Sequence, residues 1–572
     1  MNLVAEGKQN IILTGNPSKS FFKCTYAKYT NFGLQKFRID YDGLRTLHPT
    51  TSSNFKFKMP RTGGDLIMDT YLVVNLPTIW SPIIPPKIDS NGVIEKNNIV
   101  NKWRPYKFKW IKQIGSQMVE RVRFTIGGQV IQEFTGQYLY NMVERDFDAA
   151  KKDLYYKMTG HVPELYDPAN VDGNDGVYPN SYYIDSPTGP EPSIHGRALY
   201  IPLNIWFTLA SKMSFPLVSL YYNDFYIEID IKPIKDLYVI QNIPDKNDEG
   251  TYYHQPNYNN PIDELYRFLH PPPSVKLNKE DFLDQRINWD TDIHLISTYA
   301  FLSEDEQRVF KNNDQIYLIK QIYENKIRSL VGSKIVDLES RGMVSSWMWY
   351  FQRSDIAVRN EWSNYTNWSY DFKPFTSGMP GDLLNNDKEK YFVKVNKEEE
   401  VAEGITPNIE YNLVDEVNKE AVGTHFITGR YYSNNKKNIM ETWGLLLDGK
   451  YRENPQRDGV LNYIEKYTRT SGNAKDGLYC YNFGLNNNVG EYQPSGAINL
   501  TKFNKIQFEL GLIIPPMDPS AQVEEICIDG EIVGIDKTRD NIYEYTYDLT
   551  VMEERYNVLT FSSGNAALSY AR

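Results

Sequence analysis

Two distant stretches of the chain carry one pattern. "SFPLVSLYYNDFYIEIDI" (214–231) and "EYQPSGAINLTKFNKIQFEL" (491–510) each place a phenylalanine nine residues after a proline, Pro216 to Phe225 and Pro494 to Phe503. Both then alternate apolar and polar residues. Successive side chains of a strand point to opposite faces, so each alternation predicts a β-strand with one buried face. Ile227, Ile229 and Ile231 are expected inward against Glu228, Asp230 and Lys232, and Ile506, Phe508 and Leu510 inward against Gln507 and Glu509.

Each stretch follows a hairpin signal. "ERVRFTIGGQVIQEF" (120–134) alternates Val122, Phe124 and Ile126 against Arg121, Arg123 and Thr125, then reaches Gly127-Gly128. "TWGLLLDGKYRE" (442–453) puts Leu445 and Leu447 on one face ahead of Asp448-Gly449. Such dipeptides supply the positive φ angles of a two-residue hairpin turn. A hairpin followed by a proline strand, twice in the same order, predicts the internal duplication of one β-domain.

The organisation expected from this is an N-terminal arm (1–20), a first β-sandwich (21–240) with an insertion at about 145–198, a linker (241–285), and a second sandwich (286–572) with an insertion at about 353–440. The insertions are polar and rich in glycine, proline or charge, as in "GNDGVYPNSYYIDSPTGPEPSIHG" (173–196) and "NKEEEVAEG" (396–404). Segments of that kind are expected on the surface, adding little to either core. The strand "INWDTDIHLISTYAFL" (287–302) is assigned to the second sandwich. After it, Ser303 and Glu306 have capping-box spacing for a short helix.

Composition supports the β reading and removes several functions. Among 572 residues 14% are aromatic, led by 43 Tyr, which favours strands. A net charge of −11 without a basic tail disfavours direct nucleic-acid binding. Cys24, Cys480 and Cys527 form no CxxC pair, so three free thiols in a reducing compartment are expected. No run approaches the ~18 apolar residues of a membrane span, and the N-terminus lacks the pattern of a signal peptide, so a soluble cytosolic chain is expected.

Seven segments, in order, resemble the major capsid proteins of nucleocytoplasmic large DNA viruses. They are "GNPSKSFFKCTYAKYTNF" (15–32), "RTGGDLIMDTYLVVNLP" (61–77), "ERVRFTIGGQVI" (120–131), "LYIPLNIWF" (199–207) with "FPLVSLYYND" (215–224), "FLSEDEQRVF" (301–310), "QPSGAINLTKF" (493–503) and "YNVLTFSSGNAALSYAR" (556–572). Gln307-Arg308 stands where that family usually carries an arginine pair. Within the resemblance, Pro216, Phe225, Gln493, Pro494, Ser495, Gly496 and Phe503 are the motif positions of the two proline strands.

The resemblance implies an all-β double jelly-roll, two consecutive eight-stranded sandwiches with long loop insertions and short accessory helices. It also implies a homotrimer forming a pseudo-hexagonal capsomer of an icosahedral shell. The expected partners are other copies of the chain, then neighbouring capsomers, minor capsid and penton proteins, a viral membrane reached through other proteins, and a host surface met by outward loops. The expected location is the virion, after assembly in the host cytoplasm. The alternatives are a minor or paralogous capsid protein of the same fold, or a carbohydrate-binding β-sandwich.

Candidate chemistry is sparse. "GNPSKS" (15–20) lacks the Gly-Lys-Ser/Thr ending of a phosphate loop, and the seven histidines have no metal-ligand spacing. There is no GxSxG elbow, and Glu398, Glu399, Glu400 and Glu403 lack calcium-loop spacing. Neither enzyme, metal nor cofactor is expected. Trp347 and Trp349, with Trp362 and Trp368, would be the sugar platform of the alternative reading, but their alternation on one strand favours a core role for the first two. Asn364, Asn367 and Asn499 satisfy the N-x-Ser/Thr pattern, and without a secretory route their glycosylation is disfavoured.

Overall fold

The computed structural model describes residues 30–84, 104–171, 173–181, 189–241, 253–273, 278–371, 392–393, 411–412, 436–472, 475–486, 494–518, 523–528, 531–537 and 542–570. The acidic run 398–403, Gln493, Cys24 and the 1–20 arm lie outside the described residues. Two sandwiches follow one another, and each is built from two antiparallel sheets with a main path of four strands, one sheet of the second carrying two further short strands.

The first contains β1 (Phe32–Asp40), β2 (Ser53–Lys58), β3 (Leu66–Leu76), β4 (Val119–Ile126), β5 (Gln129–Phe134), β6 (Arg197–Pro202), β7 (Phe225–Ile231) and β8 (His294–Leu302). The second contains β9 (Gln315–Leu330), β10 (Ser333–Asp337), β11 (Met343–Arg353), β12 (Met440–Leu447), β13 (Lys450–Arg457), β14 (Leu478–Asn482), β15 (Ile506–Leu512) and β16 (Tyr547–Ser562). The sheet orders are β1-β8-β3-β6 and β2-β7-β4-β5, then β9-β16-β11-β14 and β10-β15-β12-β13. Adding eight to each label of the first unit reproduces the second. In both, the chain crosses between sheets in the jelly-roll order.

The proline strands have the expected faces. Ile227, Ile229 and Ile231 are fully buried between the sheets of the first roll, and Ile506, Phe508 and Leu510 between those of the second. On the opposite face Glu228 pairs with Lys56 at 2.8 Å, and Asp230, itself buried, pairs with Arg121 at 2.7 Å.

The match of phenylalanines, however, is three residues out of structural register. Phe225 opens β7 opposite Ile126, the last residue before the Gly127-Gly128 turn. The residue opposite Leu447, the last before Asp448-Gly449, is Ile506, while Phe503 caps a 3-10 turn over Leu500–Lys502. Asp448 Oδ1 accepts from the amides of Asn504 and Lys505, both at 2.8 Å, and this spaces the second strand later along the chain.

Three of the expected boundaries are corrected. The strand 294–302 is the last strand of the first roll and pairs with β1 and β3, so the second roll does not open near Arg286. The helix α3 (Glu304–Asn312) makes the connection between rolls, anchored by Gln307 Nε2 on Asp65 Oδ2 at 3.0 Å. Segment 241–285 is not a linker, because Leu265 and Phe268 are fully buried in the first core and Tyr253–His254 pairs with Tyr238–Gln241. Nor is 145–198 peripheral. It carries the helix α2 (Ala149–Thr159), and Tyr178 is buried, donating to Phe108 O at 2.7 Å.

Candidate assembly surfaces

The connection after β5 forms the helix α1 (Gly136–Asp146), started by Thr135, whose hydroxyl accepts from Tyr138 N. Gly136 is required there, since a Cβ would fall 2.0 Å from Ser116 O. This helix belongs to the first roll but packs on the outward face of the β9-β16-β11-β14 sheet. On that face Leu478, Cys480, Met348 and Met552 join the first roll's core, while the intervening Tyr479, Tyr481, Trp347 and Trp349 fill the second.

Ionised groups are sealed into this junction. Arg145 Nη2 lies 2.7 Å from Glu554 Oε1 and 2.8 Å from Asp146 Oδ2, and all three side chains are essentially inaccessible. Tyr138 Oη donates to Glu554 Oε1 at 3.0 Å, Ser346 Oγ donates to Oε2 at 2.9 Å, and Lys320 Nζ stands 4.0 Å away. Burial alone would raise the Glu554 carboxyl. The Arg145 guanidinium and Lys320 ammonium reverse that and hold it below its ordinary value. For Asp146 burial outweighs Arg145 and the carboxyl is raised. Such a group is costly unless complete, so its members fix how the rolls meet.

A second strap comes from the start of the expected 353–440 insertion. Asn360, at φ 51°, donates to Lys235 O at 2.7 Å and Tyr238 O at 2.9 Å, and Trp362 Nε1 donates to Asp236 O at 2.9 Å. Tyr365 Oη donates to Asn141 Oδ1 on α1 at 2.5 Å. Residues 353–371 therefore hold the second roll on the first and are not an outward excursion. Their hydrogen-bonding groups meet backbone carbonyls that the hydropathy pattern does not reveal.

The sequons serve the same segment. Asn367 Oδ1 accepts from Tyr545 at 2.8 Å and Tyr547 at 2.7 Å, Asn364 holds the turn to Thr366, and both are buried. Asn499 caps a 3-10 turn through Thr501 N. Trp347 and Trp349 are fully buried, Trp349 stacked on Trp443 at 5.3 Å, so neither can present a ring to a sugar. Trp362 belongs to the strap. The hairpin turns have the left-handed geometry their residues allow, with φ of 55° and 86° at Gly127 and Gly128 and of 49° and 77° at Asp448 and Gly449. Pro216 precedes a 3-10 turn at Leu217–Ser219, whereas Pro494 lies exposed farther from its strand. Ser495 Oγ accepts from Asn486 N at 2.8 Å, and at Gly496, with φ 141°, a Cβ would meet Gly484 Cα at a tight 3.1 Å.

The two rolls differ in what covers them. The outward face of the second roll's sheet is sealed by α1, whereas on the matching face of the first roll the edge strands are exposed among the described residues and Val73, His294, Thr298 and Ala300 of the central strands are buried. Tyr200 on β6 is 42% exposed where its counterparts on β14 are fully buried, and Phe32 and Leu34 on β1 are 53% and 54% exposed. Conversely, the second roll's own connection after β13 forms a helical segment (Val460–Arg469) equivalent in order to α1. It shows Tyr463, Ile464 and Tyr467 to solvent, the last 91% exposed. No helix among the described residues is long and apolar enough to cross a membrane, and no cluster of metal-ligating side chains occurs among them.

Comparison with known proteins gives the same direction. Residues 20–266 match the family model described as "Major capsid protein N-terminus". The chain is 28% identical over 345 residues to the major capsid protein of Chrysochromulina ericina virus, covering 56% of this chain and 51% of that protein. It is 22% identical over 607 residues to that of Phaeocystis pouchetii virus, covering 100% and 99%. Among solved structures, the chain described as "PBCV-1 virus capsid, quasi-atomic model" superposes with a TM-score of 0.56 at 16% identity, over 96% of this chain and all of that one. That likeness carries the fold.

Proposed function

We propose that this chain, a major capsid protein of the nucleocytoplasmic large DNA virus type and a structural unit of the virus shell, works as a homotrimer in which six rolls close a pseudo-hexagonal ring. Association rather than catalysis is its mechanism. The observation that carries the reading is the mismatch of the two rolls: α1 of the first roll caps the sheet of the second, while among the described residues the second roll's equivalent helix and the edge strands of the first roll's equivalent sheet face are exposed. Repeating the intrachain contact between chains brings Tyr463, Ile464 and Tyr467 onto the Leu34 and Tyr200 face of a neighbour. Three such steps close the ring and leave no unmatched surface. An obligate contact of this kind buries on the order of 2,000 Å² or more.

Trimers then meet as capsomers, with minor capsid and penton proteins filling the shell and outward loops facing the host. Assembly in a reducing cytoplasm suits the widely spaced cysteines. The test is charge placed on each half of the contact. Leu34→Asp and Tyr467→Asp should each convert trimer to folded monomer on gel filtration, with circular dichroism unchanged. Retention of trimer in both variants would reject the contact.

A further inference from the structure

A cavity of about 510 Å³ lies where the two rolls meet, away from the helices just described. Its floor is the outer side of the short sheet formed by Phe108–Trp110, Tyr238–Gln241 and Tyr253–His254. Phe108 and Trp110 are buried in the first roll, so the alternation turns Lys107 and Lys109 the other way, towards the cavity with Tyr253. The second roll closes the opposite side with Arg359 and Tyr370.

The charges facing this space are unevenly matched. Lys112 pairs with Asp371 at 2.5 Å, and Arg359 pairs with Asp355 at 2.8 Å. Among the described residues, the carboxyls facing Lys107 and Lys109 are Asp167, at a long 3.4 Å from Lys109 Nζ, and Glu361, which lines the same cavity and which burial pushes up to about 7. Lys109 also sits over the Tyr253 ring at 4.2 Å, and burial lowers its affinity for its own proton despite Asp167. Two ammoniums in a half-enclosed space, with one carboxylate at a long distance and a second, Glu361, whose charge burial disfavours, attract an anion, because screening by water is weak there. A phosphate oxygen accepts charge-assisted hydrogen bonds from lysine, and the Tyr253, Tyr166 and Tyr370 side chains line the same space beside a bound group.

We propose that this inter-roll cavity binds a phosphate-bearing anion through Lys107 and Lys109, so that one ligand touches both rolls. The proposal is independent of the trimer contact, since none of these residues belongs to it. Isothermal titration calorimetry of the full chain at low ionic strength, with inorganic tripolyphosphate and with ATP as probes, tests it. Saturable binding of one probe per chain is expected, together with a higher melting temperature. Tighter binding of ATP identifies a nucleotide whose base uses the tyrosines; equal binding identifies the phosphate chain alone. The Lys107→Met/Lys109→Met variant should weaken binding roughly tenfold or more while melting normally without ligand. Lys107→Met alone removes a half-exposed side chain and serves if the double variant folds poorly, and Lys334→Met on β10 should bind like the parent. No saturable heat with either probe, or binding unchanged by loss of both lysines, overturns the site.

Discussion

Replacing Arg145 by methionine asks how much the sealed charges at the junction matter. Methionine fills much of the same space, so the change is mainly electrostatic. It removes the 2.7 Å contact to Glu554 and the paired contacts to Asp146, leaving two buried carboxylates with Lys320 at 4.0 Å as the remaining nearby cation. Breaking a buried ion pair by deleting one partner costs about 3–5 kcal/mol, because the other charge stays desolvated. The Glu554 carboxyl, no longer held down by the guanidinium, rises and takes up a proton. The cost should therefore be larger at mildly alkaline than at mildly acidic pH. Urea unfolding followed by tryptophan fluorescence measures it. Adding Glu554→Gln to Arg145→Met should recover about 1–3 kcal/mol of the summed single effects, since the two side chains act as a unit. A loss below about 1 kcal/mol for Arg145→Met, with no dependence on pH, would refute the view that these charges hold the rolls together.

Other perturbations probe each roll alone. Ile229→Asp and Phe508→Asp bury a charge without a partner and should each cost several kcal/mol in urea unfolding, whereas Glu509→Gln, half-exposed, should stay within about 0.5 kcal/mol; tolerance of both aspartates would mean the strands are one residue out of register. Gly128→Val places a β-branched residue at φ 86° and should lower stability by about 1–3 kcal/mol through backbone strain alone, since the added side chain meets open space; an unchanged melting temperature would remove the turn. The His161 imidazole is held down to about 4 by burial and by the Lys112 and Lys475 ammoniums. The unfolded ring takes its proton near 6.5, so the unfolded state binds more protons across that window and stability should fall by up to about 3 kcal/mol as pH drops from 6.5 to 4. His161→Phe, which can keep the stacking on Tyr166, should remove that contribution, and parallel stability–pH curves for variant and parent would contradict it.

Period-two alternation made the two proline strands and the hairpins legible, because one residue's face follows from its neighbour's. Partner choice over long separations was not legible in the same way. The strand 294–302 has a convincing pattern, yet only its pairing with β1 and β3 shows that it closes the first roll. Sequence proximity had assigned it to the second. The register of Phe503 was hidden for a related reason, since the Asp448 side chain that spaces β15 acts from another strand. Arg145 and Glu554 lie 409 residues apart, and no local pattern joins them. A signal was nonetheless present in "TVMEERYNV" (550–558), where adjacent glutamates interrupt an apolar strand. Charge in the middle of a buried strand requires a partner elsewhere in the molecule.

A shell protein that completes itself by threefold association should be a trimer before any shell forms. Multi-angle light scattering of the purified folded chain tests it most directly. A species of about three times 66.5 kDa is expected at micromolar concentration, whatever sugar is added. A stable monomer or dimer with intact secondary structure would contradict it.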